Sequence, residues 1–324
     1  MSKEIEKTVS VSEAPRGALS VKRANIFFLW YAVLMIGLGS VKIPGLPMTW
    51  VALIYYIPLL VVASLLCRKE GKTILTAYGF HRVKPLTILL TIVLCMATHS
   101  ISHLISSLTN LLFPSFFESA SRKMLGGSFF VNFIGVAIIP AFFEEFVLRG
   151  GMLNSYSGTG RLRASVLLTA FLFGLMHMNP TQFFYAFAIG IVLGLLFVLT
   201  GSIWPGILFH FLNNGMAPIS MVLEERFGTD FVQKYIFPFS RGLSDLKSAL
   251  VTITAAVVGL VIVVLCLRGI ARCEGSREKL RLCVRGGGTA SLVTLPLIIA
   301  IVLMCLMTAA VTYSMIMSLA SVPA

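Results

Sequence analysis

Residues 141–151 read AFFEEFVLRGG. They lie inside an apolar run that begins near Phe129, and they place Glu144 beside Glu145, with Arg149 four residues after the second. Two carboxylates in a membrane helix are costly and by default mark function. An i,i+4 ion pair between Glu145 and Arg149 would give one of them a structural reason. It leaves Glu144 unexplained, because a single ion pair uses a single carboxylate. Whether the stretch is a membrane helix at all is decided by the rest of the chain.

The 324 residues are 57% hydrophobic and 12% charged, with a mean hydropathy of +0.92. A soluble domain carries about 25% charged residues. Apolar runs at 26–43, 49–67, 86–113, 129–156, 163–178, 182–200, 203–223, 248–267 and 289–319 predict an all-α polytopic membrane bundle of eight to nine helices. About 20 apolar residues cross a bilayer. The fourth and ninth runs exceed that length. The fourth is expected to project from the bilayer, and the ninth to kink near Pro296. Residues 1–25 include Lys3, Glu4, Glu6, Lys7 and Glu13, and read as a polar tail rather than a signal peptide. Residues 26–324 are expected to form a single transmembrane domain. No internal repeat is evident.

Charge gives an orientation. With the tail inside, nineteen of the 26 Lys and Arg residues fall on the cytoplasmic side and seven outside. That asymmetry predicts a cytoplasmic N-terminus. The formal net charge of +13 is thereby explained by topology and anionic headgroups. The charges are spread over loops, so membrane lipids are expected as partners and nucleic acid is not. The loop 68–84 reads as a basic connector lying on the headgroups. None of the six cysteines forms a C-x-x-C pair, and free thiols are expected.

Further polar residues interrupt the runs. The third contains Thr98, His99, Ser100, Ser102, His103, Ser106 and Ser107. His99 and His103 share a helix face and have the spacing of a metal pair. With no carboxylate beside them, a polar stripe facing the bundle interior fits better. His177 stands near the end of the fifth run, which Asn179 and Pro180 close. The seventh run carries His210 and Asn214 on one face, with Asn213 one residue off it. At ~1.5 Å per residue, Glu144 and His177 lie roughly 20 Å deep, His210 about 12 Å and Asn214 about 18 Å. The groups therefore share a layer, as they would around one polar cavity.

Such a set suits hydrolysis of a peptide bond without a covalent nucleophile. A carboxylate serves as base, an imidazole positions water, and a second imidazole with an amide N–H stabilises an oxyanion. The same residue types, His177, His210 and Glu144, also make a plausible three-ligand zinc set. HExxH is absent. A metal-free, glutamate-based reaction is preferred, since every group then has a role.

At these residues the sequence resembles the CAAX protease and bacteriocin-processing family (CPBP, or Abi), which includes the type II CAAX prenyl endopeptidases. The resemblance rests on Glu144-Glu145-x-x-x-Arg149, Phe173-x-x-x-His177 and His210-x-x-x-Asn214, in that order. Arg149-Gly150, Gly190, Gly194 and TGSIWPGILFH fit it too. It covers about residues 126–216. It implies an intramembrane endopeptidase acting on a hydrophobic or lipidated peptide or protein. In it, Glu144 would activate water with His177, and His210 and Asn214 would hold the oxyanion. Glu145 and Arg149 would shape and charge the site. Members are described both as zinc enzymes and as metal-free. The compact loops point to a bacterial cell membrane, and the oligomeric state stays open. Two other functions fit the same composition: a non-catalytic scaffold or immunity protein with this fold, and a proton-coupled transporter with a polar midplane site.

Overall fold

The computed structural model describes residues 18–40, 48–113, 129–238 and 242–320. Residues 1–17, which make up most of the expected tail, lie outside them, as do Lys42, Arg122, Lys123 and Arg241 from the charge tally. Helices occupy all nine expected runs. They are α1 (Val21–Ser40), α2 (Met48–Arg68), α4 (Pro85–Leu112), α5 (Phe129–Ser157), α6 (Leu162–Leu175), α7 (Pro180–Thr200), α8 (Trp204–Phe227), α9 (Leu246–Cys273) and α11 (Leu295–Ala320). Two short helices, α3 (Ile74–Ala77) and α10 (Arg277–Arg285), sit in connectors. Among the described residues six helices are long and apolar enough to cross a membrane: α4, α5, α7, α8, α9 and α11. Tyr56–Arg68 and α6 are shorter apolar helices. No strand occurs among the described residues.

Local sequence explains the helix starts. Pro85 and Pro180 occupy the first turns of α4 and α7, where a missing N–H costs nothing. Asn179 caps α7 by accepting from the Thr181 N–H at 3.0 Å, and Asp245 caps α9 by accepting from the Ser248 N–H at 3.0 Å. Pro296 also falls in a first turn, because α11 begins at Leu295. The kink expected there is therefore a helix start. Gly286 to Gly288, all at positive φ, keep the chain out of helix upstream of it.

Helix α5 is not uniform. It is π-helical over Ile134–Ile138 and again over Phe146–Leu153, with a regular α-helical turn between. Glu144 and Glu145 close that regular turn, and Arg149 lies in the second π-helical stretch. Such wide turns are rare and recur at functional sites.

The bundle has a polar centre and an apolar outside. Val257, Val258, Val261 and Leu265 on α9 are each more than half exposed, while Glu145, Arg149 and His210 are buried. That arrangement suits a lipid surround. Helix α5 packs between α1 and α8, α4 packs on α9, and α6 on α7. Most hydroxyls of α4 bond backbone carbonyls, as with Thr98 on Leu94 at 2.7 Å and Ser100 on Ala255 at 3.0 Å, while Thr87 donates to the Glu274 carboxylate.

The connector 68–84 departs from the expectation of a surface loop. Ala77 and Tyr78 are fully buried. The Tyr78 ring stacks on Phe146 with centroids 4.1 Å apart. Gly150 makes room for it: a Cβ there would stand 2.7 Å from Tyr78 Cδ1. An aromatic ring that fills a niche opened by glycine outweighs the pull of the loop's charges toward water. The basic connectors gather at one end of the bundle. There Arg23 pairs with Glu70 at 2.8 Å, and Arg161 Nη1 donates to the Ala290 carbonyl at 2.9 Å.

Candidate active site

Helices α5 and α8 bring the acidic pair to His210. Arg149 Nη1 donates to Glu145 Oε1 at 2.9 Å, the ion pair expected from the i,i+4 spacing. Both side chains are 0% exposed. Arg149 Nη2 also donates to the Gly190 carbonyl of α7 at 3.2 Å, and its guanidinium lies 4.7 Å from the Phe173 ring centroid. The same Glu145 Oε1 faces His210 Nδ1 at 3.1 Å, so that nitrogen carries the proton of this contact. On the other side of the ring, His210 Nε2 stands 3.7 Å from Glu144 Oε2, beyond hydrogen-bond range.

The two carboxylates are thus unequal. Glu145 is held through Oε1 by Arg149 and His210, while its Oε2 is buried without a partner. Glu144 Oε2 is buried with no hydrogen-bond partner among the described residues. The buried group holds two carboxylates and one permanent cation. One further proton, on Glu144 or on His210, makes it neutral, as a low-dielectric surround requires.

The close approach of α8 to α5 depends on Gly206, one turn before His210. A Cβ on Gly206 would lie 2.7 Å from Glu145 Oε2. Only a residue without a side chain lets the carboxylate sit against the α8 backbone.

His177 and Asn214 stand at the margin of this cluster. His177 Nδ1 bonds the Phe173 carbonyl at 2.8 Å, and its ring packs edge-on against Phe173. Phe173 in turn packs edge-on against His210, with centroids 5.5 Å apart. One phenyl ring therefore touches both imidazoles. No hydrogen bond or ion pair joins His177 to Glu144 among the described residues. Asn214 Nδ2 donates to the Val136 carbonyl at 3.2 Å, and its Oδ1 accepts from Asn213 Nδ2 at 3.2 Å. Its carbonyl oxygen is occupied, and one of its two N–H bonds is uncommitted.

Among the described residues no three His, Cys, Asp or Glu side chains are arranged to hold a metal ion. His177, His210 and Glu144 are not among such a group, and the Nδ1 contact of His177 with the Phe173 carbonyl leaves its Nε2 open. The rings of His99 and His103 meet edge-on with centroids 4.8 Å apart.

Three tyrosines escaped the sequence reading. Tyr31 of α1 donates to Met176 Sδ at 3.7 Å, Tyr56 of α2 stacks on Phe143 with centroids 4.5 Å apart, and Tyr185 of α7 accepts from Gln182 Nε2 at 3.1 Å. In the sequence each sits among other apolar residues with no polar neighbour to set it apart.

Residues 126–216 match the family model described as Rce1-like type II CAAX prenyl endopeptidase. No curated protein and no solved structure matches the chain. The matched interval is the one that holds Glu144, Glu145, Arg149, His177, His210 and Asn214, and its family is the one the three motifs resemble.

Proposed function

We propose that this chain, whose residues 126–216 match the Rce1-like type II CAAX prenyl endopeptidases, is an intramembrane endopeptidase in which Glu144 is the general base. The division of labour within the acidic pair carries the reading. Glu145 is tied through Oε1 to Arg149 at 2.9 Å and His210 at 3.1 Å, with its Oε2 unpartnered against Gly206, whereas Glu144 has no such tie and its Oε2 stands 3.7 Å from His210 Nε2.

In the proposed reaction a water donates one hydrogen bond to Glu144 and one to His177. With Nδ1 on the Phe173 carbonyl, His177 offers Nε2 as an acceptor. The water oxygen attacks the scissile carbonyl carbon as its proton passes to Glu144. The carbonyl becomes an oxyanion, which accepts from His210 Nε2–H and from the uncommitted N–H of Asn214. Glu145 orients His210 through Nδ1 and stabilises its charge. The C–N bond then breaks as the proton on Glu144 passes to the leaving nitrogen, giving a carboxylic acid and an amine; the acid's remaining water proton passes by way of His177 Nε2 to the amine, and a carboxylate and an ammonium depart. No step is routed through a metal, because in this reading every group already has a role.

The substrate is a hydrophobic or lipidated peptide. In support, an apolar groove of about 300 Å³ lined by Phe171, Leu175, Phe183, Phe184 and Thr308 opens beside the end of α6, close to His177. The loop charges favour an orientation with the N-terminus and the basic end of the bundle in the cytoplasm, and the compact loops suit a bacterial cell membrane.

Purified full-length protein, incubated with prenylated and unmodified hydrophobic peptides, tests this. The wild type should cleave, and Glu144→Gln should lose at least about 100-fold in kcat, the lower range of general-base catalysis. Cleavage that survives Glu144→Gln would rule the assignment out. In a parallel arm the protein is treated with chelator and analysed for zinc. Activity should persist, and near-stoichiometric zinc whose removal abolishes cleavage and whose return restores it would overturn the metal-free mechanism.

A further inference from the structure

Among the described residues every positive φ belongs to a glycine, with one exception: Met178, at φ 49°. It follows His177 directly. Left-handed backbone crowds a side chain against the next carbonyl, and helices that end through such a residue usually place glycine or asparagine there. Strained backbone of this kind persists only where the surroundings over-determine it, and it collects at functional sites.

The link between α6 and α7 is held from both ends. On the α6 side the His177 N–H donates to the Gly174 carbonyl at 3.3 Å, and the Met178 N–H to the Leu175 carbonyl at 3.0 Å. Met176 is buried, and its Sδ accepts from the Tyr31 hydroxyl at 3.7 Å. On the α7 side the buried Asn179 side chain accepts from the Thr181 N–H at 3.0 Å and from Thr181 Oγ1 at 2.7 Å. Pro180 then sets the first turn of α7. The two helices also meet backbone to backbone, since a Cβ on Gly174 would stand 2.8 Å from the Phe183 carbonyl oxygen. Met178 turns the chain between these fixed ends. The His177 ring is anchored on the near side of the turn, with Nδ1 on the Phe173 carbonyl at 2.8 Å.

An ordinary helix end explains the turn but not the methionine. Glycine would make the same turn without strain, and it would also leave the link free to sample other conformations. A side chain at this position restricts the link to one. Asn179 and Pro180 line the apolar groove beside the end of α6, so whatever occupies the groove presses on this corner.

We infer that Met178 and Asn179 are positioning residues for His177: their strained, capped corner keeps the imidazole in one orientation while substrate fills the groove. Neither residue touches the reacting atoms. The inference rests on the reading of His177 as the residue that orients the attacking water.

The test pairs turnover with a readout that needs none. In purified full-length protein with 15N-labelled histidine, the ring resonances of His177 are those that His177→Asn removes. Met178→Gly and Asn179→Ala should shift or broaden them, because each loosens the corner. Met178→Gly should change the melting temperature little, since relief of strain offsets the added freedom of the unfolded chain. It should nevertheless lower kcat about 10- to 100-fold with KM changed less than about twofold, the mark of a misplaced reacting group. Met178→Asn, which tolerates left-handed backbone, and Asn179→Asp, which keeps the capping oxygen, should restore most of the lost kcat and the wild-type resonances. A helix end without a positioning role predicts instead that Met178→Gly turns over like the wild type. That result, or His177 resonances unmoved by both Met178→Gly and Asn179→Ala, would overturn the inference even if Glu144 proves essential. If the resonances move but cleavage survives Glu144→Gln, the corner stands as the device that holds His177 and the catalytic reading fails instead.

Discussion

Arg149 is the residue on which the charge balance of the site turns. It is wholly buried, and its partners come from three helices: Glu145 on α5, the Gly190 carbonyl on α7 and the Phe173 ring on α6. Removing it leaves the Glu145 carboxylate in low dielectric with only His210 to answer it. Arg149→Ala should therefore lower stability by about 3–5 kcal/mol. Arg149→Lys should recover only part of that, because an ammonium cannot reach a carboxylate and a carbonyl in one plane. Unfolding of detergent-solubilised protein measures both, and an Arg149→Ala protein as stable as the wild type would show that the pair holds nothing together. This pair was legible in the sequence because i,i+4 spacing is a local property. The tyrosines were not. Tyr31 lies in FFLWYAV and Tyr56 in LIYYIPL, where aromatic residues read as span or interface, and only tertiary packing brings them onto Met176 and Phe143, the residues before His177 and Glu144.

At the scale of elements, the approach of α8 to α5 is set by a missing side chain. Gly206→Ala would place a methyl 2.7 Å from Glu145 Oε2, and α8 would have to shift. The carboxylate cannot retreat, because Arg149 and His210 hold its other oxygen. Overpacking of this kind costs about 1–3 kcal/mol. The larger effect should be on turnover, since the shift moves His210, one helical turn along α8. We expect Gly206→Ala to lower kcat by at least about 10-fold, as small displacements of reacting groups do. Unchanged cleavage by a variant of unchanged melting temperature would refute this account of Gly206. The nine runs were legible because apolarity over some twenty residues needs no period to be recognised. The two π-helical stretches of α5 were not, since residue type says little about whether a turn closes on i−4 or i−5. The burial of 77–78 was also hidden, since its cause is Gly150 and Phe146, about seventy residues downstream.

The molecule as a whole encloses its charge and shows its hydrocarbon, which is why composition alone named its class. Its orientation can be read from a thiol. Cys273 is part-exposed at the basic end of the bundle, whereas Cys67, Cys95, Cys266 and Cys283 are buried and Cys305 faces outward from the apolar helix α11. A membrane-impermeant maleimide should label Cys273 in inside-out vesicles and not in intact cells, with the label lost in Cys273→Ser. Labelling of Cys273 in intact cells would reverse the topology. The order of synthesis adds a constraint. Helix α1 packs on α11, and the Asn25 side chain donates to the Leu292 carbonyl at 3.0 Å and to Thr294 Oγ1 at 2.8 Å, while also accepting from the Tyr156 hydroxyl. Asn25 and Leu292 are 267 residues apart, so at about 5–20 residues per second the ribosome needs roughly 15–50 s to deliver the second after the first. Throughout that interval the Asn25 N–H groups lack these partners and α1 has an unfinished flank. The nascent chain is thus a target for membrane quality control if elongation stalls.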